Sequence, residues 1–404
     1  MSNVFDYLRW RGDLLMSERA FNEVDNLLMS LLSYIDLGGI VPVPGQGEIT
    51  LAEAAAAYFA RRGEPVEPIA DVVDTAAEWD WMFFLMGAAP RFGGMKLSCY
   101  QDVLDTQADK QFCAVSIETE PGRLYLAYRG TTDDLAGWKE DFLLACLPEI
   151  PSHEEALRYL TEVAALYPEH RLTLGGHSKG GNLAVYAAVR AEDRIKARIE
   201  TVWTNDGPGF QQDFVQSPLY ASMAEKIREI VPKSSMVGLL LNQKQPYLVV
   251  DSSQSGVLQH DGITWQVVRD RFAAMPSLSP ESLRSAKLIK DWIDGMDLPA
   301  RRVFVDALFD TLSASGEETV SGIMRDVPKA LNASLAEARN LDKDIRDRVV
   351  DFIRLMISVW TSMDSGTRLA QTQYVLRQIS MRLPLLQAAR SSPEKAAEDA
   401  APEA

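Results

Sequence analysis

The chain has 404 residues, of which 41 are basic and 57 acidic, giving a formal net charge of −16. An acidic surface repels a polyanion, which argues against sequence-independent nucleic-acid binding. Apolar and charged fractions of 47% and 24% exclude wholesale disorder.

No run of about 18 apolar residues occurs, so no membrane-spanning helix is expected. Trp79–Pro90 is too short, and Val349–Met363 contains Asp351 and Arg354. The three cysteines, Cys99, Cys113 and Cys146, form no C-x-x-C pair and cannot all pair with one another, which fits a reducing compartment. MSNVFDYLRWRGD at the start carries Asp6 and lacks an apolar signal core. The expected location is cytoplasmic.

Residues 1 to about 95 read as mostly helical. Phe21, Val24, Leu27, Leu28, Leu31 and Leu32 recur at helical spacing, with Asn22 to Asn26 as the polar side. Leu51–Arg62 and Val73–Leu85 are further helices. From Gln111 the texture changes. Phe112–Ile117 and Leu124–Tyr128 are strands separated by Pro121-Gly122, a hairpin turn. Then follow a helix over Pro151–Tyr167, a strand at Arg171–Leu174, a helix over Asn182–Arg190, and strands at Thr201–Thr204, Ile227–Val231 and Tyr247–Val250. Strands alternating with helices predict an α/β fold with a mostly parallel sheet covered on both faces.

Met275–Pro280, rich in proline and serine, marks a boundary. Beyond it Glu281–Met296, Ala300–Ser313, Glu318–Glu337 and Ile345–Trp360 read as helices. The expected organisation is one sheet-bearing unit with N-terminal helices over 1–275 and a helical region over 276–390. That region is expected to pack on the first unit as a cap, or to serve as a homo-oligomer surface. The last segment, 391–404, holds alanine, proline and acids and is expected to be disordered.

The strongest chemical signal is Gly176-His177-Ser178-Lys179-Gly180, a G-x-S-x-G pentapeptide between a strand and a helix. A loose G-x-S-x-G in a loop is common, but this context makes a nucleophile elbow. The serine needs a sharp, strained turn so that its oxygen projects past the sheet edge. Gly176 and Gly180 lack the bulk that would keep strand and helix apart. The helix N-terminus aims free amides at the same point, which favours a developing oxyanion.

A serine hydroxyl needs a base. Adjacent side chains diverge on a sharp turn, which disfavours His177. His153 and His170 precede the nucleophile, whereas in this arrangement the base follows nucleophile and acid in chain order. His260 follows the last predicted strand and is the candidate, its alternative being a surface-loop histidine. Between Val231 and Val250 there is no Asp or Glu. The carboxylate candidates are therefore Asp206, Asp251 and Asp261. Asp206 ends the strand beside the nucleophile strand, before a Gly-Pro-Gly turn, and is preferred; its alternative is a turn aspartate capping local amides. For the oxyanion, the amide of Lys179 is one donor. Thr131 in Arg129-Gly130-Thr131 is the other, through its amide and its hydroxyl. Met236–Leu241 could line an acyl pocket or lid, or simply pack in the core. The chemistry needs no metal or cofactor.

Tyr128-Arg-Gly-Thr131 with Trp138 and Asp141, Gly-His-Ser-Lys-Gly-Gly-Asn182, Asn205-Asp-Gly-Pro-Gly-Phe210, Ser235-Met-Val-Gly238 and Gln259-His-Asp261 together resemble the Mbeg-like proteins, an α/β-hydrolase branch similar to the class 3 (fungal-type) lipases. The resemblance covers roughly Val4 to Trp265. It implies an α/β-hydrolase fold over the first unit and lipase- or esterase-like cleavage of a small-molecule or lipid ester. Ser178 would be nucleophile, His260 base, and Thr131 part of the oxyanion hole. Class 3 lipases carry their acid where this chain has Lys233-Ser234-Ser235, which is why Asp206 takes that role here. The rival readings are a catalytically silent hydrolase-fold binding or scaffold protein, and a thioester or amide hydrolase.

Overall fold

The computed structural model describes residues 2–63, 75–319, 337 and 341–362. Eight strands form one sheet in strict chain order: β1 (Glu48–Thr50), β2 (Lys96–Asp105), β3 (Lys110–Glu120), β4 (Arg123–Tyr128), β5 (Arg171–His177), β6 (Ile199–Asn205), β7 (Ile227–Pro232) and β8 (Tyr247–Val250). Pairings from β1 to β4 are antiparallel and those from β4 to β8 are parallel. The β3–β4 hairpin turns at Gly122, whose φ of 78° is adopted at least cost by a residue without Cβ.

Strand side chains alternate between two cores. Phe112, Ala114, Leu124, Leu126 and Tyr128 point to one face, and Cys113, Val115, Ile117, Tyr125 and Ala127 to the other. Parallel crossovers are right-handed, and a sheet that always advances in one direction puts all its crossover helices on the same side. The first face is therefore covered by α6 (Leu135–Cys146), α7 (Pro151–Leu166), α8 (Lys179–Arg190), α9 (Asp193–Lys196), α10 (Gln212–Gln216) and α11 (Pro218–Met223). The opposite face needs its own cover. It gets α1 (Val4–Arg11), α2 (Glu23–Leu32), α3 (Leu51–Arg62), α4 (Thr75–Ala88), α5 (Pro90–Gly93) and the small β9–β10 ribbon (Val267–Val268, Arg271–Phe272). After Pro276 come α12 (Pro280–Asp294), α13 (Leu298–Ser313) and, last among the described elements, α14 (Lys343–Ser362). Phe304, Val305, Leu308 and Phe309 of α13 join the first core.

The structure departs from the sequence reading in several places. β1 and β2 are strands in a stretch read as helical or unassigned. A bulge between Ser98 and Gln101, with Cys99 at φ 54°, breaks the alternation that would have revealed β2. α6 was not anticipated either. The polar side of α2 faces inward: Asp25, Asn26 and Ser30 are fully buried. Of the helix expected over Glu318–Glu337, Glu318 and Thr319 instead run beside Asp134 and Leu135. Most of the rest of it, and the tail 391–404, lie outside the described residues.

Asp25 explains how an acid is kept inside. Arg91 on α5 donates from Nε to Asp25 Oδ1 at 2.9 Å and from Nη2 to Oδ2. Tyr7 on α1 donates to Oδ1 at 2.8 Å, and the same guanidinium reaches the carbonyls of Leu14 and Arg19. Both charged side chains are fully shielded from solvent. Removing one partner of such a pair strands the other charge. Arg91→Ala is expected to lower unfolding stability by about 3–5 kcal/mol, measured as a shift of the urea midpoint at neutral pH.

Candidate active site

Five consecutive strands each deliver a residue at their carboxyl end: Thr131 after β4, Ser178 after β5, Asp206 after β6, Ser235 after β7 and His260 after β8. Ser178 sits between the end of β5 and the start of α8 with φ 57° and ψ −134°, a backbone conformation that costs about 1–3 kcal/mol and persists only where its surroundings enforce it. The flanking glycines show why strand and helix can approach so closely. A Cβ on Gly176 would come 2.2 Å from the Gly180 carbonyl carbon, and one on Gly180 would come 2.0 Å from the Tyr128 carbonyl oxygen. The Ser178 amide donates to the Asn205 carbonyl at 3.0 Å.

Asp206 follows β6, has φ 51° and is fully buried. Its Oδ2 lies 2.7 Å from His260 Nδ1. Its Oδ1 accepts from the Ser235 hydroxyl and, at 3.1 Å, from the Gly238 amide. The carboxylate that sequence reasoning selected is the one that meets His260. Asp251 instead accepts from the Ser252 amide, and Asp261 caps Ile263. Ser235, in Lys233-Ser234-Ser235, thus satisfies the Asp206 carboxylate rather than carrying one itself.

His260 ends a tight turn, Gly256–His260. The turn is fastened by Gln259, whose Oε1 accepts from Ser234 and whose carbonyl accepts from Trp265 Nε1, both at 2.8 Å. His177, passed over as a base, holds the same turn from the other side. Its Nε2 donates to the His260 carbonyl at 2.6 Å, its Nδ1 lies 3.1 Å from the Tyr34 hydroxyl, and the two imidazole rings are 4.6 Å apart. Burial, with the neighbouring His260 second, lowers the His177 pKa to about 3, so the ring stays neutral and can donate from Nε2 alone.

Arg129-Gly130-Thr131 lies directly against the elbow: a Cβ on Gly130 would be 2.7 Å from the His177 carbonyl and 3.1 Å from Ser178 Cβ. The Arg129 guanidinium forks onto Asp102 at 2.9 and 3.0 Å, anchoring the segment to β2. Thr131 donates its hydroxyl to Asp141 Oδ1 at 2.6 Å. Its amide is therefore the donor left for an oxyanion, where the sequence reading had allowed the hydroxyl as well. Burial raises the Asp141 pKa to about 6. Lys179 opens α8, and its side chain turns into the core. There the ammonium contacts Glu140 at 2.7 Å and the Gln111 carbonyl at 3.1 Å. Glu140 is further satisfied by the amide and hydroxyl of Ser152, both at 2.9 Å. Sequence reasoning missed Tyr34, Glu140 and the role of Ser235. None lies within a recognisable spacing of the elbow.

Ser178, His260, Thr131 and Asp141 open onto one cavity of about 730 Å³. Val237 and Leu240 of the segment Met236–Leu241 line it too, as do Trp138, Phe142, Trp292, Phe304 and Phe352.

The Mbeg1-like family model matches residues 86–310, and the chain belongs to that family. The monotonic sheet with its elbow is an α/β-hydrolase fold. Among solved structures, the chain is similar to the Rhizomucor miehei lipase propeptide complex, at 15% identity over 57% of this chain and 70% of that one, with a TM-score of 0.31. It is also similar to Lip2 lipase from Yarrowia lipolytica, at 13% over 41% and 69% with 0.29, and to a mutant form of MDLA from Penicillium cyclopium, at 14% over 55% and 83% with 0.32. No curated protein matches the chain. Among the described residues, no helix is long and apolar enough to cross a membrane.

A second buried histidine supports the acid's loop. His153 Nδ1 accepts from the Ile150 amide, so the ring proton is on Nε2, which faces Asn182 Oδ1 at 2.7 Å. Asn182 then donates to the carbonyls of Pro208 and Gly209, just past Asp206. A second ring proton would confront the Ile150 N–H. Burial accordingly depresses the His153 pKa from 6.5 to about 4. Because the folded pKa lies below the unfolded one, this contribution to stability is complete above pH 6.5 and is lost as pH falls toward 4. Wild type is expected to lose about 2 kcal/mol more than His153→Gln between pH 7 and pH 5, read from urea midpoints at both pH values. Equal losses would show that the imidazole is not held neutral.

Proposed function

We propose that this Mbeg1-like chain is a serine hydrolase that cleaves carboxylic esters through an acyl-enzyme on Ser178. The observation that carries the reading is the 2.7 Å contact between His260 Nδ1 and the buried Asp206, beside a serine on a strained strand-to-helix turn. With Nδ1–H given to Asp206, Nε2 keeps its lone pair as a base. His260 takes the Ser178 proton as the oxygen attacks the ester carbonyl. The amides of Thr131 and Lys179 receive the oxyanion. Collapse expels the alcohol, protonated by His260, and leaves the acyl-serine. Water, deprotonated by His260, then attacks the acyl carbon, and the proton returns to Ser178 as the acid departs.

The site residues are thus Ser178, His260 and Asp206 for the chemistry, Thr131 and Lys179 for the oxyanion, and Gly176, His177 and Gly180 for the elbow. The chemistry runs without a cofactor. A cytoplasmic setting is part of the same reading, supported by three buried free thiols.

A fluorophosphonate probe is expected to label wild type and not Ser178→Ala. Undiminished labelling of the alanine variant would overturn the assignment. On a p-nitrophenyl ester, Asp206→Asn is expected to reduce kcat by about 10⁴-fold, by presenting the wrong tautomer, while Asp251→Asn stays within a few-fold of wild type. Comparable losses in both would move the acid elsewhere.

A further inference from the structure

We propose that α12, α13 and α14, which follow Pro276, build the acyl-binding half of this site, a pocket for one long unbranched chain whose length is read by Trp292 and Phe352. The proposal rests on the hydrolase reading above and adds the substrate class. The cavity that holds Ser178 and His260 is also lined by Ile289, Trp292 and Ile293 of α12, Phe304 of α13 and Phe352 of α14. These side chains are aliphatic or aromatic, and the rings interlock. Trp292 lies 4.8 Å from Phe304 and 5.2 Å from Phe352, and Phe142 of α6 lies 5.6 Å from Phe352. α6 connects the two halves, because it carries Asp141 toward Thr131 and Phe142 toward this cluster. The lining that α12, α13 and α14 contribute is wholly apolar, while Ser178, His260, Thr131 and Asp141 come from other elements, a pairing that suits an ester with a hydrocarbon tail.

Size and charge narrow the class. A methylene occupies about the volume of a liquid water, ~30 Å³. A cavity of about 730 Å³ therefore holds a single chain on the order of 16–18 carbons with its ester. Among the described residues, the charged ones lining it are Glu78, Asp141, Asp261 and Lys179, and the Lys179 ammonium is already engaged by Glu140. These lining acids, with no free lysine among the described residues, disfavour an anionic head. The substrate is an ester that places one long chain in the pocket and carries an uncharged head.

The test is a chain-length profile on p-nitrophenyl esters from C4 to C18. Trp292→Ala is expected to move the preferred length up by two or more carbons, and Ile289→Trp to move it down. A general loss of folding cannot produce opposite shifts. Unmoved profiles in both variants, with fluorophosphonate labelling of Ser178 intact, would overturn the pocket and leave the hydrolase reading standing. Should labelling fail, binding still decides. 1-O-hexadecylglycerol, followed by tryptophan fluorescence in Ser178→Ala, should bind at least tenfold more weakly when Ile289→Trp is added, since each buried methylene contributes roughly fourfold in Kd. An unchanged Kd would refute the pocket. For the head, kcat/KM on monopalmitoylglycerol should exceed that on palmitoyl-CoA by tenfold or more, and equal values would refute the neutral-head assignment.

Discussion

A carboxylate with no access to water must find its partners within the protein, and Asp206 finds them on three separate stretches of chain. It belongs to the end of β6, takes hydrogen bonds from Ser235 and Gly238 after β7, and meets His260 after β8. Each stretch is constrained by the need to satisfy this one group. Moving any of them by an ångström would take one donor from this buried carboxylate. The geometry at His260 is thus a consequence of stabilising Asp206.

The elbow is held from below by a second polar set. Asn205, next to Asp206, donates to the Gly176 carbonyl at 3.1 Å and to Ser30 at 3.0 Å, and it accepts from Asn26 at 2.8 Å. These groups join α2 to β6 and to the end of β5, which leads into Ser178. Asp25 on the same helix is tied to Arg91. The N-terminal helices therefore set the position of the sheet edge as well as covering the sheet. A satisfied buried network is rigid because every member has somewhere to lose, and rigidity is what a strained serine turn requires.

Much of this was legible in the sequence because local rules sufficed. β8 runs over Tyr247–Val250 as read, and α3 over Leu51–Arg62, since Thr50 caps its start and Gly63 its end. The pairing of His260 with Asp206 followed from chain order and from the lack of acids between Val231 and Val250. What stayed hidden depends on distant partners. Asp25 and Asn26 read as part of a polar side, because nothing local announces that Arg91 and Asn205 will meet them. Glu140 and Lys179 are 39 residues apart, and their pairing exists only once α6 lies beside α8. β2 was masked by its bulge.

The order of the strands also bears on the shape of the cavity. Many open α/β sheets bind ligands where the strand order reverses, because helices diverge to opposite faces there and leave a crevice. From β4 to β8 this sheet never reverses, and its crossover helices all lie on one face. The strand ends can present Ser178, Asp206 and His260 in a row, but they cannot by themselves enclose a ligand. Walls must come from elements added outside the sheet. Here they come from Tyr34 and Trp79 on the N-terminal side and from Trp292, Phe304 and Phe352 beyond the last strand. The carboxyl edge of the sheet thus forms one part of the cavity wall, and the appended helices form the part the sheet cannot supply.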